Sequence, residues 1–415
     1  MLVPESDNRI WGASLNPWSV DRTPGGSSGG EGALVGGRCS PLGLGSDIGG
    51  SIRIPGHFCG VPSFKPSSYR VTRGGLVAPR HKCSVQKQIP SIPGPLGRSV
   101  RDLALFFRVM LSDQVFSHDV GLPPVPFREE LFAPGPPKAP RTRRSLAPPR
   151  RKLRVGHYTS MDFFEAAPGC QRAVREAVAA LGRSDEVELV PWEPPQAVMT
   201  ELVVMFIQLN SSEGTVGGQP RGWTDGMAGE PPIPQYSLMA ALANIPRAVR
   251  PLLGAALHLL GEQRAAYITA GTFRRSTAEY WDLCGRIDAK VAEFNAAWQA
   301  AGLDACLSPA VGLPALKHGE AKYLSIGPCA YAYLYNVLGY AAGTVPLVTV
   351  GEEEEAYDPG AAGWDMMSKR AQASLRGSAG LPCSVQVAAP NFRDEVALRV
   401  MALVEEHAPR LDLPM

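Results

Sequence analysis

Glycine crowds the opening of this 415-residue sequence: residues 1–60 hold 14 of them, most within PGGSSGGEGALVGG and GLGSDIGGSIRIPG. Loss of Cβ lets a backbone turn through positive φ and lie directly against a neighbour, so such a segment is either a loose linker or unusually tight core. A solvated linker lacks apolar residues. Here Leu34, Val35, Leu42, Leu44, Ile48, Ile52 and Ile54 recur between the glycines, which places the segment inside a core, with EGALVGG opening a short, closely packed helix. Across the chain 44 Gly and 39 Pro make 83 of 415 residues, well above the average share of roughly 12% and without a collagen-like period. Helical bundles and coiled coils are excluded.

The remaining pattern is that of a large α/β unit. LRVGHY (153–158), VELV (187–190), ACLSP (305–309), TVPLVTV (344–350) and CSVQVA (383–388) read as strands. Helices are expected over 171–182, from Ser276 to about Ala301 behind a Ser276/Glu279 capping box, over 392–406, and over 99–111 behind Ser99 with Asp102 three residues on. The fold class expected is α/β, a mixed twisted central sheet surrounded by helices, with residues 1–415 forming a single domain. The Pro-rich and partly basic stretch 119–152, and 131–152 above all, reads as a surface excursion; it has no aromatic interleaving, so it is read as a solvated loop and not as a nucleic-acid arm.

A formal charge of +2 from 41 basic and 39 acidic residues gives no global attraction to nucleic acid. Eight Cys, with no CxxC pair and no His/Cys spacing suited to zinc, read as reduced thiols, and neither a metal nor a cofactor is expected. Residues 1–30 contain no continuous apolar run, and no stretch reaches 18 residues without a charge or breaker, so no spanning helix is visible. The apolar run inside segment 245–270, IPRAVRPLLGAALHLLGEQRAAYITA, is too short to span. Its leucines, flanked by Arg247, Arg250 and Arg264, make it a buried core helix, an interfacial helix or a protein interface.

Chemistry concentrates at a glycine-bracketed Ser27-Ser28 pair and at Ser51, 24 residues after Ser27, in Gly49-Gly50-Ser51. Tight turns with inward N–H groups hold a hydroxyl beside an oxyanion hole, as acyl transfer requires. A phosphate cradle is the weaker reading, because GxxxxGK[ST] is absent and neither loop fits GxGxxG. A serine nucleophile also needs a base. None of the seven His stands in a GxSxG context, and His57, six residues past Ser51, is read as structural.

PGGSSGGEGALVGG, SPLGLGSDIGGSIRIPGHFCG and FKP together resemble the signature of the amidase signature family of serine hydrolases. NPW (16–18), PFREE (126–130), SIGPCAYAYLYN (325–336), AAGTVP (341–346) and GLPCSVQVAAP (380–390) continue the resemblance in order, over nearly the whole chain. It implies a Ser-Ser-Lys triad: Ser51 as nucleophile, Ser27 as bridging serine after a cis Gly26–Ser27 peptide, and Ser28 orienting the network. It further implies an oxyanion hole from the N–H groups of Ile48, Gly49, Gly50 and Ser51, with Asp47 and Arg53 supporting the loops. The family's base lysine lies well upstream of this motif, whereas this sequence begins 26 residues before Ser27 and has no lysine before Lys65. Lys65, in FKP, matches a different family lysine with a structural role. The sequence is therefore expected to lack the amino-terminal part of the fold, and with it the base.

For substrate, the resemblance to the branch acting on fatty acid amides implies a long-chain amide, with 245–270 in the place of a membrane-facing apolar cap. The partners implied are that fatty acid amide, a membrane surface engaged through 245–270, and a second copy in a homodimer, with no nucleic acid. The location implied is an endomembrane, with the catalytic domain facing the cytoplasm. Two alternatives stand beside this reading: an inactive lipid- or partner-binding chain, and an amidase for small polar amides.

Overall fold

The structure, a computed structural model, describes residues 3–76, 87–133, 151–212, 245–360, 363–409 and 411. Residues 134–150 of the Pro-rich excursion lie outside the described residues. The strands are β1 (Asp7–Asn8), β2 (Gly12–Ala13), β3 (Leu42–Asp47), β4 (Ser63–Lys65), β5 (Ile92–Gly97), β6 (Leu153–His157), β7 (Val187–Val190), β8 (Ala305–Pro309), β9 (Ala341–Thr349) and β10 (Pro382–Ala389). β1 and β2 form a small hairpin, and the other eight make one mixed sheet in the order β3-β5-β4-β9-β10-β8-β6-β7. Only the β8-β6-β7 end is parallel; the other pairs are antiparallel. An α/β fold with a central sheet is thus present.

Helices cover both faces. In chain order they are α1 (Gly29–Gly36), α2 (Arg53–Phe58), α3 (Val100–Met110), α4 (Asp113–His118), α5 (Glu129–Phe132), α6 (Pro168–Leu181), α7 (Gln196–Asn210), α8 (Arg250–Leu259), α9 (Gln263–Gly271), α10 (Thr277–Ala300), α11 (Ala321–Leu324), α12 (Ala330–Val337), α13 (Met366–Leu375) and α14 (Asp394–His407). Strand alternation sorts the faces. In β10, Val385 and Val387 alternate with Ser384 and Gln386, and the Gln386 side chain accepts from Arg53 of α2. α6 and α14 pack against β9 and β10.

Local signals held where they were strong. Ser99 accepts the Asp102 N–H at the start of α3, and Ser276 and Glu279 form the reciprocal capping box of α10. Two expectations need correction. Leu34 and Leu44 are exposed, while Val35, Ile48, Ile52 and Ile54 are buried, because β3 is an edge strand and α1 turns one face outward. Segment 245–270 is not one helix: a short 3₁₀ turn leads into α8, which ends before Gly261 at φ +80°, and α9 then packs beside α8. No described helix is long and apolar enough to cross a membrane.

The α8–α9 hairpin is tied to the body through Arg264. Its guanidinium, buried on α9, pairs with the Asp365 carboxylate (Nε–Oδ2 2.7 Å), donates to Ser368 Oγ, and stacks over the Phe164 ring. Asp365 also caps α13 by accepting the Ser368 N–H at 2.8 Å. Removing one member of a buried pair leaves the other charged and unpaired. Arg264→Ala is expected to lower unfolding stability by about 3 kcal/mol, read as a lower urea midpoint at unchanged slope.

Candidate active site

A cavity of about 410 Å³ opens between the glycine loops and the α8–α9 hairpin. Gly26, Ile48, Gly49 and Ser51 line one wall, and Leu253, Leu257 and Ile268 line the hairpin side. Phe206 of α7 and Tyr333 of α12, stacked at 4.3 Å, complete the apolar lining near Gly49. Glu262, Lys322, Asp365 and Arg370 add a polar margin, in which Glu262 accepts the Met366 N–H at 2.9 Å. Neither the α7 helix nor its Phe206 was anticipated from sequence, because α7 is apolar around most of its circumference and carries no side-chain cap.

Ser51 is buried, 7% exposed, two residues before the start of α2. Ser27 is half-buried and follows Gly26 across a cis peptide. Gly26 tolerates no side chain, since a Cβ there would lie 2.6 Å from the Glu5 and Val3 backbone. Ser28 joins the two loops: its N–H donates to Ser51 O at 3.1 Å and its hydroxyl accepts the Ser46 N–H at 3.2 Å. Among the described residues, no side chain is hydrogen-bonded to the hydroxyl of Ser27 or Ser51.

Asp47 shapes the loop. Its carboxylate accepts the N–H groups of Gly50 (2.7 Å) and Ile52 (3.2 Å), and Arg53 clamps it through Nε and Nη2 at 3.0 Å each. Burial alone would raise this carboxyl, but the charge and hydrogen bonds of Arg53, with Lys65 and Asn336, hold it at about 2. Gly50, at φ +91° and with a Cβ position 2.7 Å from Ala332 Cβ, turns the chain back onto Asp47. Its N–H is therefore committed to Asp47, unlike the expectation of four oxyanion donors. The N–H groups of Ile48, Gly49 and Ser51 meet no protein acceptor among the described residues.

Lys65 is sunk in the core with Nζ on the carbonyls of Pro66 (2.9 Å) and Tyr340 (2.5 Å). Burial, reinforced by the Arg53 charge and opposed by Asp47 and Asp394, brings its pKa down to about 7. The two carbonyls account for this ammonium structurally. His57 is likewise structural: Nδ1 accepts the Ser384 N–H at 3.0 Å, which leaves Nε2–H to donate to Leu313 O at 3.1 Å. The fold also brings His57 to the buried thiols Cys170 and Cys383, whose sulfurs lie 3.7 Å apart, a cluster invisible in the spacing of residues 57, 170 and 383. With both ring nitrogens engaged, His57 has no lone pair for a metal, and burial pushes the Cys170 thiol pKa up.

Fold and site together define a class: an α/β chain of the amidase type, with a buried serine in a glycine-shaped loop. The amidase family model matches residues 1–398, and the chain belongs to that family. It is 32% identical over 410 residues to fatty-acid amide hydrolase 1 of Sus scrofa and 30% identical over 414 residues to fatty acid amide hydrolase 1 of Caenorhabditis elegans. In both comparisons 98% of this chain is covered and it spans 66% of the relative's length. Among solved structures, a fatty acid amide hydrolase matches with a TM-score of 0.69 at 20% identity, over 97% of this chain and 63% of that one. A 6-aminohexanoate cyclic dimer hydrolase matches at 0.60 and 21%, over 98% and 73%.

Burial pushes His57 from 6.5 down to about 4. A depressed histidine pKa means that the unfolded chain takes up a proton that the folded chain refuses. Stability is thus complete above pH 6.5 and falls between pH 6.5 and 4, by on the order of 3 kcal/mol in total. His57→Gln is expected to flatten the stability profile across that window, measured by urea unfolding at successive pH values.

Proposed function

We propose that this chain is a serine hydrolase that cleaves the amide, and the ester, bond of long-chain fatty acid amides through a Ser51 acyl-enzyme. The observation that carries the reading is that buried Ser51 and the leucines of the α8–α9 hairpin line one cavity. Attack of Ser51 Oγ on the carbonyl would put negative charge on its oxygen, and the N–H groups of Ile48, Gly49 and Ser51 are the donors for that oxyanion. Ser27 would take up the proton that Ser51 releases and pass its own to the departing nitrogen as the C–N bond breaks, because an amine leaves poorly as an anion. Water then hydrolyses the acyl-enzyme.

An acyl chain suits the walls, each buried CH₂ contributing about 0.8 kcal/mol. The hairpin also has an outward side on which Leu252 (75% exposed), Leu259 (86%) and Leu260 (76%) stand in solvent, beside Leu253 and Leu257, which line the cavity. This two-sided placement supports membrane association through 245–270, with lipid entering the cavity beneath.

One observation favours a second reading. The described residues place no base at Ser51, and general-base assistance is worth about 10²–10⁴ in rate. A chain that binds lipid or a partner without turnover fits that fact. Ser51-dependent hydrolysis of an oleoyl amide by the 415-residue chain would exclude it.

Labelling with a fluorophosphonate probe is expected to occur in the unsubstituted protein and to vanish in Ser51→Ala; equal labelling of both would overturn Ser51 as nucleophile. Leu252→Asp is expected to reduce sedimentation with phospholipid vesicles while sparing hydrolysis of a short-chain amide. Leu257→Asp, which puts a charge into the cavity, is expected to lower kcat/KM for a long-chain amide by at least tenfold with a smaller effect on a short one.

A further inference from the structure

Around Asp47 and Arg53 the structure holds two amide side chains with no assigned part in the chemistry. Asn336, on α12, accepts from Arg53 Nη2 at 2.5 Å through Oδ1 and donates from Nδ2 to Asp47 Oδ1 at 2.9 Å. The Asp47–Arg53–Asn336 triangle is closed. Gln386, at the centre of β10, accepts from Arg53 Nη1 at 2.7 Å and donates from Nε2 to Ser308 Oγ, Pro309 O and Tyr331 O at 3.2–3.3 Å. Arg53 has only donors, so both amide oxygens must face it, and neither amide can turn over without setting N–H against N–H.

Counting shows why these amides matter. The Arg53 guanidinium makes five hydrogen bonds: two to Asp47 and one each to Ala332 O, Gln386 and Asn336. Asp47 receives five: from the Gly50 and Ile52 amides, two from Arg53 and one from Asn336. All four side chains are buried. A buried ion pair holds a defined geometry only when its remaining donors and acceptors are met, and these two amides meet them.

We propose that Asn336 and Gln386 are positioning residues for the oxyanion site: they set the orientation of the Asp47–Arg53 pair, and through it hold the Gly50 and Ile52 amides inward so that those of Ile48, Gly49 and Ser51 stay turned to the cavity. Without Asn336, Asp47 loses its lateral donor and can rotate toward a competing amide of the loop. Without Gln386, Arg53 loses the acceptor that ties it to the sheet, and the pair can shift along α2. Neither amide lines the cavity, so substrate binding is spared. This rests on the reading of Ser51 as nucleophile.

The test compares the unsubstituted protein with Asn336→Leu, Gln386→Leu and Asn336→Asp. Amide hydrogen exchange over 46–54 is expected to rise at least tenfold in both leucine variants, with exchange in β9 unchanged. Fluorophosphonate labelling is expected to slow at least tenfold, while affinity for a non-hydrolysable long-chain ether analogue stays within twofold. Asn336→Asp separates positioning from general loosening. The charged groups bonded to that side chain are Asp47 and Arg53, and Lys65 acts in turn on the Asp47 carboxyl. While protonated, the new carboxyl keeps an acceptor for Arg53 and a donor for Asp47; once ionised it keeps only the first. Its labelling rate relative to the unsubstituted protein should therefore approach one at low pH and fall as pH rises, whereas the ratio for Asn336→Leu stays low throughout. Should Asn336→Leu fail to fold, Asn336→Asp supplies the same measurements. Unchanged exchange over 46–54 in the folded variants overturns the proposal, whatever labelling does. Absence of labelling in the unsubstituted protein overturns the nucleophile instead and leaves the exchange result to decide the positioning role.

Discussion

The buried ion pair between Asp47 and Arg53 is the interaction on which the site depends, because it closes the turn that carries Ser51 and ties that turn to distant parts of the chain. Asp47 ends the edge strand β3, and Arg53 begins α2 six residues on; the turn between them carries Ser51. A carboxylate removed from water is unfavourable unless every lone pair finds a donor. Asp47 meets that demand by drawing in two backbone amides of its own loop, so the requirement of the charge dictates the path of the backbone. Arg53 carries the requirement outward to α12 and β10.

At the other side of the cavity the α8–α9 hairpin meets two opposed demands. Leu253 and Leu257 line the cavity that Ser51 also lines, while Leu252, Leu259 and Leu260 remain in solvent, a state that favours contact with an apolar phase. A hairpin with so little of its outer surface packed needs a strong tie elsewhere. Arg264 provides it, reaching Asp365, Ser368 and the Phe163 carbonyl from one guanidinium. The proline and glycine content belongs to the same economy of shape, with breaks such as Gly261 letting one apolar segment become two short helices.

Much of the frame was legible in the sequence. VELV and ACLSP are strands with the limits that alternation and bounding turns gave them, and Ser99 and Ser276 mark helix starts because a cap is a local event, decided within four residues. The errors fall where local pattern is silent. Leu34 and Leu44 look like core by composition, yet exposure depends on which strand lies at the sheet edge. Gln386 stood in plain view as a lone amide in an apolar strand, and Asn336 at the end of YAYLYN. A buried polar residue in such a run must have partners, which is a signal, but not one that names them.

By itself the sequence determined the α/β class, the glycine positions that permit the serine loops, the two serine sites and the family motif, since these rest on residues adjacent in the chain and on backbone conformations that glycine allows. Tertiary structure alone decided that the Gly50 and Ile52 amides are bound by Asp47 and that His57 is a neutral core residue between Leu313 and Ser384. It also decided that Lys65 is held by the backbone carbonyls of Pro66 and Tyr340. The physical reason is the same in each case. Hydrogen bonds and burial depend on distances between side chains far apart in the chain, as from Arg53 to Gln386, and only the packed sheet brings those distances within bonding range.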